Sequence, residues 1–79
     1  MYVSVVGVEP LESYRLLLTF ENGEKRLFDM TPYLNKGIFR ELKDKNLFRS
    51  VRVSFDSIEW SNQADIDPEV LYEKSVAYQ

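Results

Sequence analysis

The chain has 79 residues, with 13 Asp and Glu against 10 Lys and Arg, a formal net charge of −3, and neither Cys nor His. That length suits one domain, and the missing residue types exclude a disulfide framework, a thiolate zinc site, a histidine base and a cysteine nucleophile. At 44% hydrophobic and 14% aromatic, the composition supplies enough apolar surface to oppose chain entropy, which argues against disorder.

Residues Val3 to Val8 read as a first strand. Its apolar phase switches midway, from Val3 and Val5 to Val6 and Val8, which marks Gly7 as a bulge or close-approach position. Pro10 cannot donate to a ladder, so Glu9-Pro10 is expected to end the strand. Tyr14 to Phe20 alternates as a second strand, and Asn22-Gly23 is the strongest hairpin signal before a return strand, Lys25 to Met30. A two-residue loop would set Leu16 against Asp29 and Glu21 against Glu24, which are poor cross-strand pairs. A three-residue loop, Glu21-Asn22-Gly23, with Gly23 left-handed, sets Tyr14 against Met30, Leu16 against Phe28, Leu17 against Leu27 and Arg15 against Asp29. The hydrophobic pattern therefore selects the bulged form, with Leu18 opposite Arg26 as its one awkward pair.

Thr31-Pro32 suits a helix start, with Thr31 as N-cap, and a short turn is expected over Pro32 to Leu34. From Ile38 to Lys43 the spacing of Ile38, Phe39 and Leu42 makes one helical face apolar, and Leu47 and Phe48 continue toward the core. Ser50 to Phe55 reads as a strand with Val51, Val53 and Phe55 on one face. An Asp56-Ser57 turn would set Phe55 against Ile58 and Val53 against Trp60, with Trp60 in the core. Asp67-Pro68-Glu69 repeats the helix-start logic. Val70, Leu71 and Tyr72 form the apolar side of a helix of one or two turns, too short to persist unless it docks. Residues Ser75 to Gln79 are expected to fray. Runs of strands without long alternating helices specify an α+β fold: two layers, a mainly antiparallel sheet, and the order three strands, short helix, two strands, short helix.

The order and spacing of several pieces carry a resemblance. They are Leu16-Leu17-Leu18-Thr19-Phe20-Glu21-Asn22-Gly23-Glu24, Arg26, Phe28-Asp29, Gly37, Phe39, Leu42, Phe48, Val51, Ile58-Glu59-Trp60, Asp65-Ile66-Asp67-Pro68 and Leu71-Tyr72-Glu73. The chain resembles the bacterial family called domain of unknown function 2442 over nearly its whole length. The resemblance implies a small two-layer α+β fold, shared with the N-terminal domain of proteins that sometimes add a helix-turn-helix. It also implies an antitoxin-like role beside a small toxin-like protein, and it carries no activity, cofactor or catalytic residue. Ser61-Asn62-Gln63-Ala64 departs from the pattern, because relatives often place a Gly there.

Charge is distributed unevenly. Residues 36–52 hold six bases and two acids, whereas residues 53–79 hold six acids and one base. The basic stretch reads first as a solvated face, since the chain is net acidic and its aromatics are assigned to the core, so nucleic acid is the less favoured partner. In the acidic region Glu59, Asp65, Asp67, Glu69 and Glu73 could form a negative surface beside Trp60 and Tyr72 for a basic protein. Asp67 and Glu69 are explained by helix capping and the helix dipole; Asp65 is not, which makes it the stronger interface candidate. The run Asp65-x-Asp67 lacks the Gly and Glu of a calcium loop, having Val70 and Val76 at those positions. Neither a metal site nor a cofactor is expected, nor any catalytic residue. Leu17 and Leu27 fall on the sheet face opposite Leu16 and Phe28, an amphipathic face suited to a partner or a second copy. Below roughly 80 residues a core gives only ~3–5 kcal/mol net, which leaves both a monomer and a homodimer open.

The expected partner-binding set is therefore Asp65, Asp67, Glu69, Tyr72, Leu17 and Leu27. No apolar run approaches the ~20 residues of a membrane span, and the N-terminus lacks the basic start of a signal peptide, so the expected location is the cytoplasm, as one domain over residues 1–79. The leading functional reading is a protein-interaction module without catalysis, the partner of a basic toxin-like protein. The runner-up is a nucleic-acid-linked regulatory domain, and a carboxylate-dependent enzyme is third.

Overall fold

The computed structural model describes residues 3–78. Three strands come first: β1 (Val5–Leu11), β2 (Arg15–Phe20) and β3 (Lys25–Asp29). Two 3₁₀ segments, Thr31–Tyr33 and Gly37–Lys43, lead to helix α1 (Lys45–Phe48). A second set of strands follows, β4 (Arg52–Ser54), β5 (Ser57–Glu59) and β6 (Asp65–Ile66), then helix α2 (Pro68–Lys74) and strand β7 (Val76–Ala77). The strands form two antiparallel sheets, in the orders β1-β2-β3-β7 and β4-β5-β6. This is an α+β architecture.

The β2–β3 hairpin has the bulged register that the side-chain pattern selects. Arg15 pairs with Asp29, Leu16 with Phe28, Leu17 with Leu27 and Leu18 with Arg26. Gly23 is left-handed at φ 88°, and the Met30 amide donates to the Tyr14 carbonyl at 2.9 Å. The phase switch in β1 is likewise a bulge, because the register with β2 shifts between Val5 and Gly7. A Cβ on Gly7 would stand 3.4 Å from Thr19 Cβ, so the strands approach closely there. Val6 turns outward and is exposed, while Val5 and Val8 both reach the core.

Leu16, Leu18, Phe20, Phe28 and Met30 on one face of the first sheet meet Leu42, Phe48, Ile58, Trp60, Ala64 and Leu71 in one core. Trp60 lies at its centre, fully buried. Its indole Nε1 donates to the Phe48 carbonyl at 3.0 Å, and its ring meets Phe39 and Phe48. α2 starts as expected, with the Asp67 carboxylate accepting from the Glu69 amide at 2.8 Å and Pro68 in the first turn.

Several local expectations are corrected. β1 runs through Pro10 to Leu11, which is tolerated because β1 is an edge strand of its sheet. Thr31 is the first residue of the turn after β3 and not its N-cap, which is Met30; the Asp29 carboxylate just before it accepts from both the Thr31 amide (2.9 Å) and hydroxyl (2.7 Å). The Gly37–Lys43 segment winds as a 3₁₀ helix. Its three-residue turn keeps Phe39 and Leu42 on the core side and leaves Ile38 exposed.

The β4–β5 loop starts one residue earlier than expected, which moves every β4 residue's partner by two. Arg52 pairs with Glu59, Val53 with Ile58 and Ser54 with Ser57, so the two loop residues are Phe55 and Asp56. Trp60 is buried as expected but lies beyond β5 and pairs with no β4 residue. The expected frayed end contains β7, whose Val76 and Ala77 pair with Leu27 and Arg26. Gln79, at the limit of that expectation, lies outside the described residues.

Candidate protein-interaction site

The β4–β5 tip is held against β1 by a 3.0 Å hydrogen bond from the Val5 amide to the Asp56 carbonyl. There Phe55 has φ 56° and is 98% exposed. A bulky side chain at positive φ is an outlier for an L-residue, and this one gains no packing in return. Beside the tip opens a groove of about 490 Å³, lined among others by Phe55, Asp56, Glu59, Asp65, Asp67 and Pro68. β5 and β6 form its floor, tied by the Ser57 hydroxyl donating to the Ile66 carbonyl.

The acidic residues of the groove are not equivalent. Glu59 is half-buried and ion-paired with Arg52 at 3.0 Å. Asp67 is committed to the α2 N-terminus. Asp65 is exposed and its carboxylate has no hydrogen bond or ion pair among the described residues. Glu69 is also exposed, one turn into α2. Negative charge beside a solvent-facing aromatic suits Lys or Arg side chains, which can pair with carboxylates and lie over a ring. Among the described residues no three acidic side chains cluster closely enough to hold a metal ion.

Tyr72 is placed elsewhere and is used within the chain. Its ring packs edge-on against Phe20 at 5.1 Å and lies under the Arg26 guanidinium at 4.6 Å, while its hydroxyl donates to Glu24. That hydrogen bond holds the Glu24 carboxyl below its ordinary range, helped by the Asn22 amide and Arg26, and it pushes the Tyr72 hydroxyl up. A lowered carboxyl contributes stability above its unfolded pKa that is lost as pH falls through the folded value. A raised phenol contributes stability below its unfolded pKa that is lost as pH rises through the folded value. Thermal melts should therefore be highest between the carboxylate and phenol ranges. Glu24→Gln should flatten the acid limb between about pH 5 and pH 3 relative to the parent chain; an unchanged acid limb would show that the link contributes nothing.

Leu17 and Leu27 pair across β2 and β3, both half-buried. They belong neither to the core nor to the residues packed against it. They share no surface feature with the groove, so the six expected residues divide into three places: the groove (Asp65, Asp67) with Glu69 at its α2 side, the internal Tyr72 cluster, and the outer sheet face. Phe55 was missed because an apolar residue in an alternating run reads as core. The basic stretch presents Lys43, Lys45 and Arg49 to solvent without ion pairs among the described residues. No helix among the described residues is long and apolar enough to cross a membrane.

Neither a curated protein nor a solved structure matches this chain. The model of one protein family, described as a protein of unknown function (DUF2442), matches residues 5–77. The chain belongs to that family.

Proposed function

We propose that this protein is a non-catalytic interaction module, antitoxin-like in role, that binds a basic protein partner at the groove beside the β4–β5 tip. The observation that carries the reading is Phe55: fully solvent-facing, at positive φ, next to the uncommitted carboxylate of Asp65. An aromatic held there costs backbone strain and hydration without contributing to the core, which is the mark of a residue kept for contact. Electrostatic steering by the acidic C-terminal region would bring a cationic surface to it. The solvent-open carboxylates, on a chain with neither His nor Cys, favour binding over chemistry.

The test is co-purification and titration with the product of the neighbouring gene. Phe55→Asn and Asp65→Lys should each weaken binding at least tenfold, about 1.4 kcal/mol or more. Phe55→Asn should also leave the fold intact and raise its stability by about 0.5–1 kcal/mol, because Asn tolerates the left-handed region and no packing is lost. Undiminished binding by both variants would refute the reading.

The alternative of a nucleic-acid-linked regulator draws on Lys43, Lys45 and Arg49. Lys45 and Arg49 line a second hollow of about 410 Å³ with Tyr14 and Phe48. Duplex binding at low salt that falls steeply with added salt, unchanged in Phe55→Asn, would favour that alternative.

A further inference from the structure

The first sheet has one covered and one open face. Strand alternation places Leu16, Leu18, Phe20 and Phe28 under the helices and the second sheet, all in the core. The opposite face follows from the register. One row across the strands is Glu9, Leu17, Leu27 and Val76. The row on one side holds Leu11, Arg15 and Asp29, and the row on the other holds Gly7, Thr19 and Lys25. Tyr78 joins the Lys25 row, since its amide donates to the Lys25 carbonyl at 2.9 Å. Val76 is 63% and Tyr78 49% exposed, beside the half-buried pair Leu17 and Leu27.

The charges on this face have a self-complementary arrangement. On β3, Lys25 and Asp29 stand two residues to either side of Leu27, on the same face. A two-fold axis lying along the Leu17–Leu27–Val76 row reverses each strand over its own copy. It sets Leu17, Leu27 and Val76 against themselves. It brings Lys25 over the second copy's Asp29, and Asp29 over the second copy's Lys25. It also seats Leu11 over the side-chain gap at the second copy's Gly7. The one unfavourable match is Glu9 over Glu9, at the exposed edge.

We propose that this outer face binds a second copy of the chain in that two-fold arrangement. An isologous contact needs a patch complementary to itself, and the Lys25-x-Leu27-x-Asp29 pattern supplies one. The face is four strands wide and about five residues long, roughly 19 by 17 Å at ordinary strand spacings. That is smaller than the ~800 Å² per partner of a standard interface, so the dimer is weak and concentration-dependent. The inference shares no residue with the groove and stands or falls separately from the proposed partner binding.

Sedimentation equilibrium of the full chain, from about 10 µM to 1 mM, a range spanning weak affinities, tests it. The chain should shift from the 9.3 kDa species toward twice that mass. Lys25→Asp and Asp29→Lys should each weaken association about tenfold by opposing like charges. The double variant K25D/D29K should restore it, because the swapped charges meet again across the axis. Asp29→Lys also removes the acceptor for Thr31, so the decisive comparison is D29K against K25D/D29K, which share that loss. Glu9→Gln should strengthen association by removing the edge repulsion. Monomer alone at 1 mM would overturn the proposal, and so would a double variant no better associated than D29K.

Discussion

Trp60→Ala is expected to leave the chain unfolded at 25 °C. Trp60 is the largest fully buried side chain, and it bridges the aromatic group of Phe39 and Phe48. Truncating a buried Trp costs about 3–5 kcal/mol. The substitution also strips the Phe48 carbonyl of its indole donor, and an unpaired buried acceptor adds about 1–3 kcal/mol. Together these match or exceed the few kcal/mol that a domain of this size can have in reserve. Trp60→Phe separates the two contributions, since it keeps an aromatic ring but not the donor. It should fold with a loss of about 1–3 kcal/mol. Urea unfolding followed by far-UV circular dichroism checks both, and an Ala variant as cooperative and stable as the parent would contradict the account.

Arg26→Met should destabilise the fold by about 2–4 kcal/mol and release the C-terminal strand. The Arg26 side chain is 18% exposed, and its guanidinium makes three separate contacts: Nε donates to Ser75 Oγ and Nη2 to the Ser75 carbonyl, each at 2.8 Å, and Nη1 to Glu24 at 3.0 Å. Ser75 is the one buried polar residue among those described. Removing Arg26 leaves its carbonyl without that donor at the joint between α2 and β7. Arg26→Lys should recover little, because an ammonium cannot reproduce a planar fork. Amide hydrogen exchange should show protection lost at Val76 and Tyr78, whose amides face β3, before the β2–β3 hairpin. Equal protection in parent and variant would refute this role.

Arg26 also shows what the sequence makes legible. Its position opposite Leu18 follows from the hairpin register, and that register follows from side-chain pairs that only one loop length satisfies. The gain that makes the pair acceptable, contacts to Tyr72 and Ser75 some 46 to 49 residues later in the chain, depends on tertiary docking of α2. β4–β5 went the other way. Phe55, Ile58, Val53 and Trp60 alternate convincingly, yet Trp60 is drawn beneath the sheet toward the Phe48 carbonyl, and the loop moves back by one residue to leave Phe55 outside. β6 and β7 have two residues each, too few for any periodicity to show. Of the candidate site, Asp65 and Asp67 were recognisable from charge and capping logic. Phe55 was not, because its exposure is a consequence of the shifted register.

The proposed function places a basic protein partner at the groove beside Phe55. Amide chemical-shift mapping of the labelled chain, titrated with the purified product of the neighbouring gene, tests it most directly. The largest shifts are expected at Phe55, Ser57, Asp65 and Ile66, all abolished by Phe55→Asn in a chain that still folds. Shifts centred on Lys45 and Arg49, or no saturable shift at all, would contradict it.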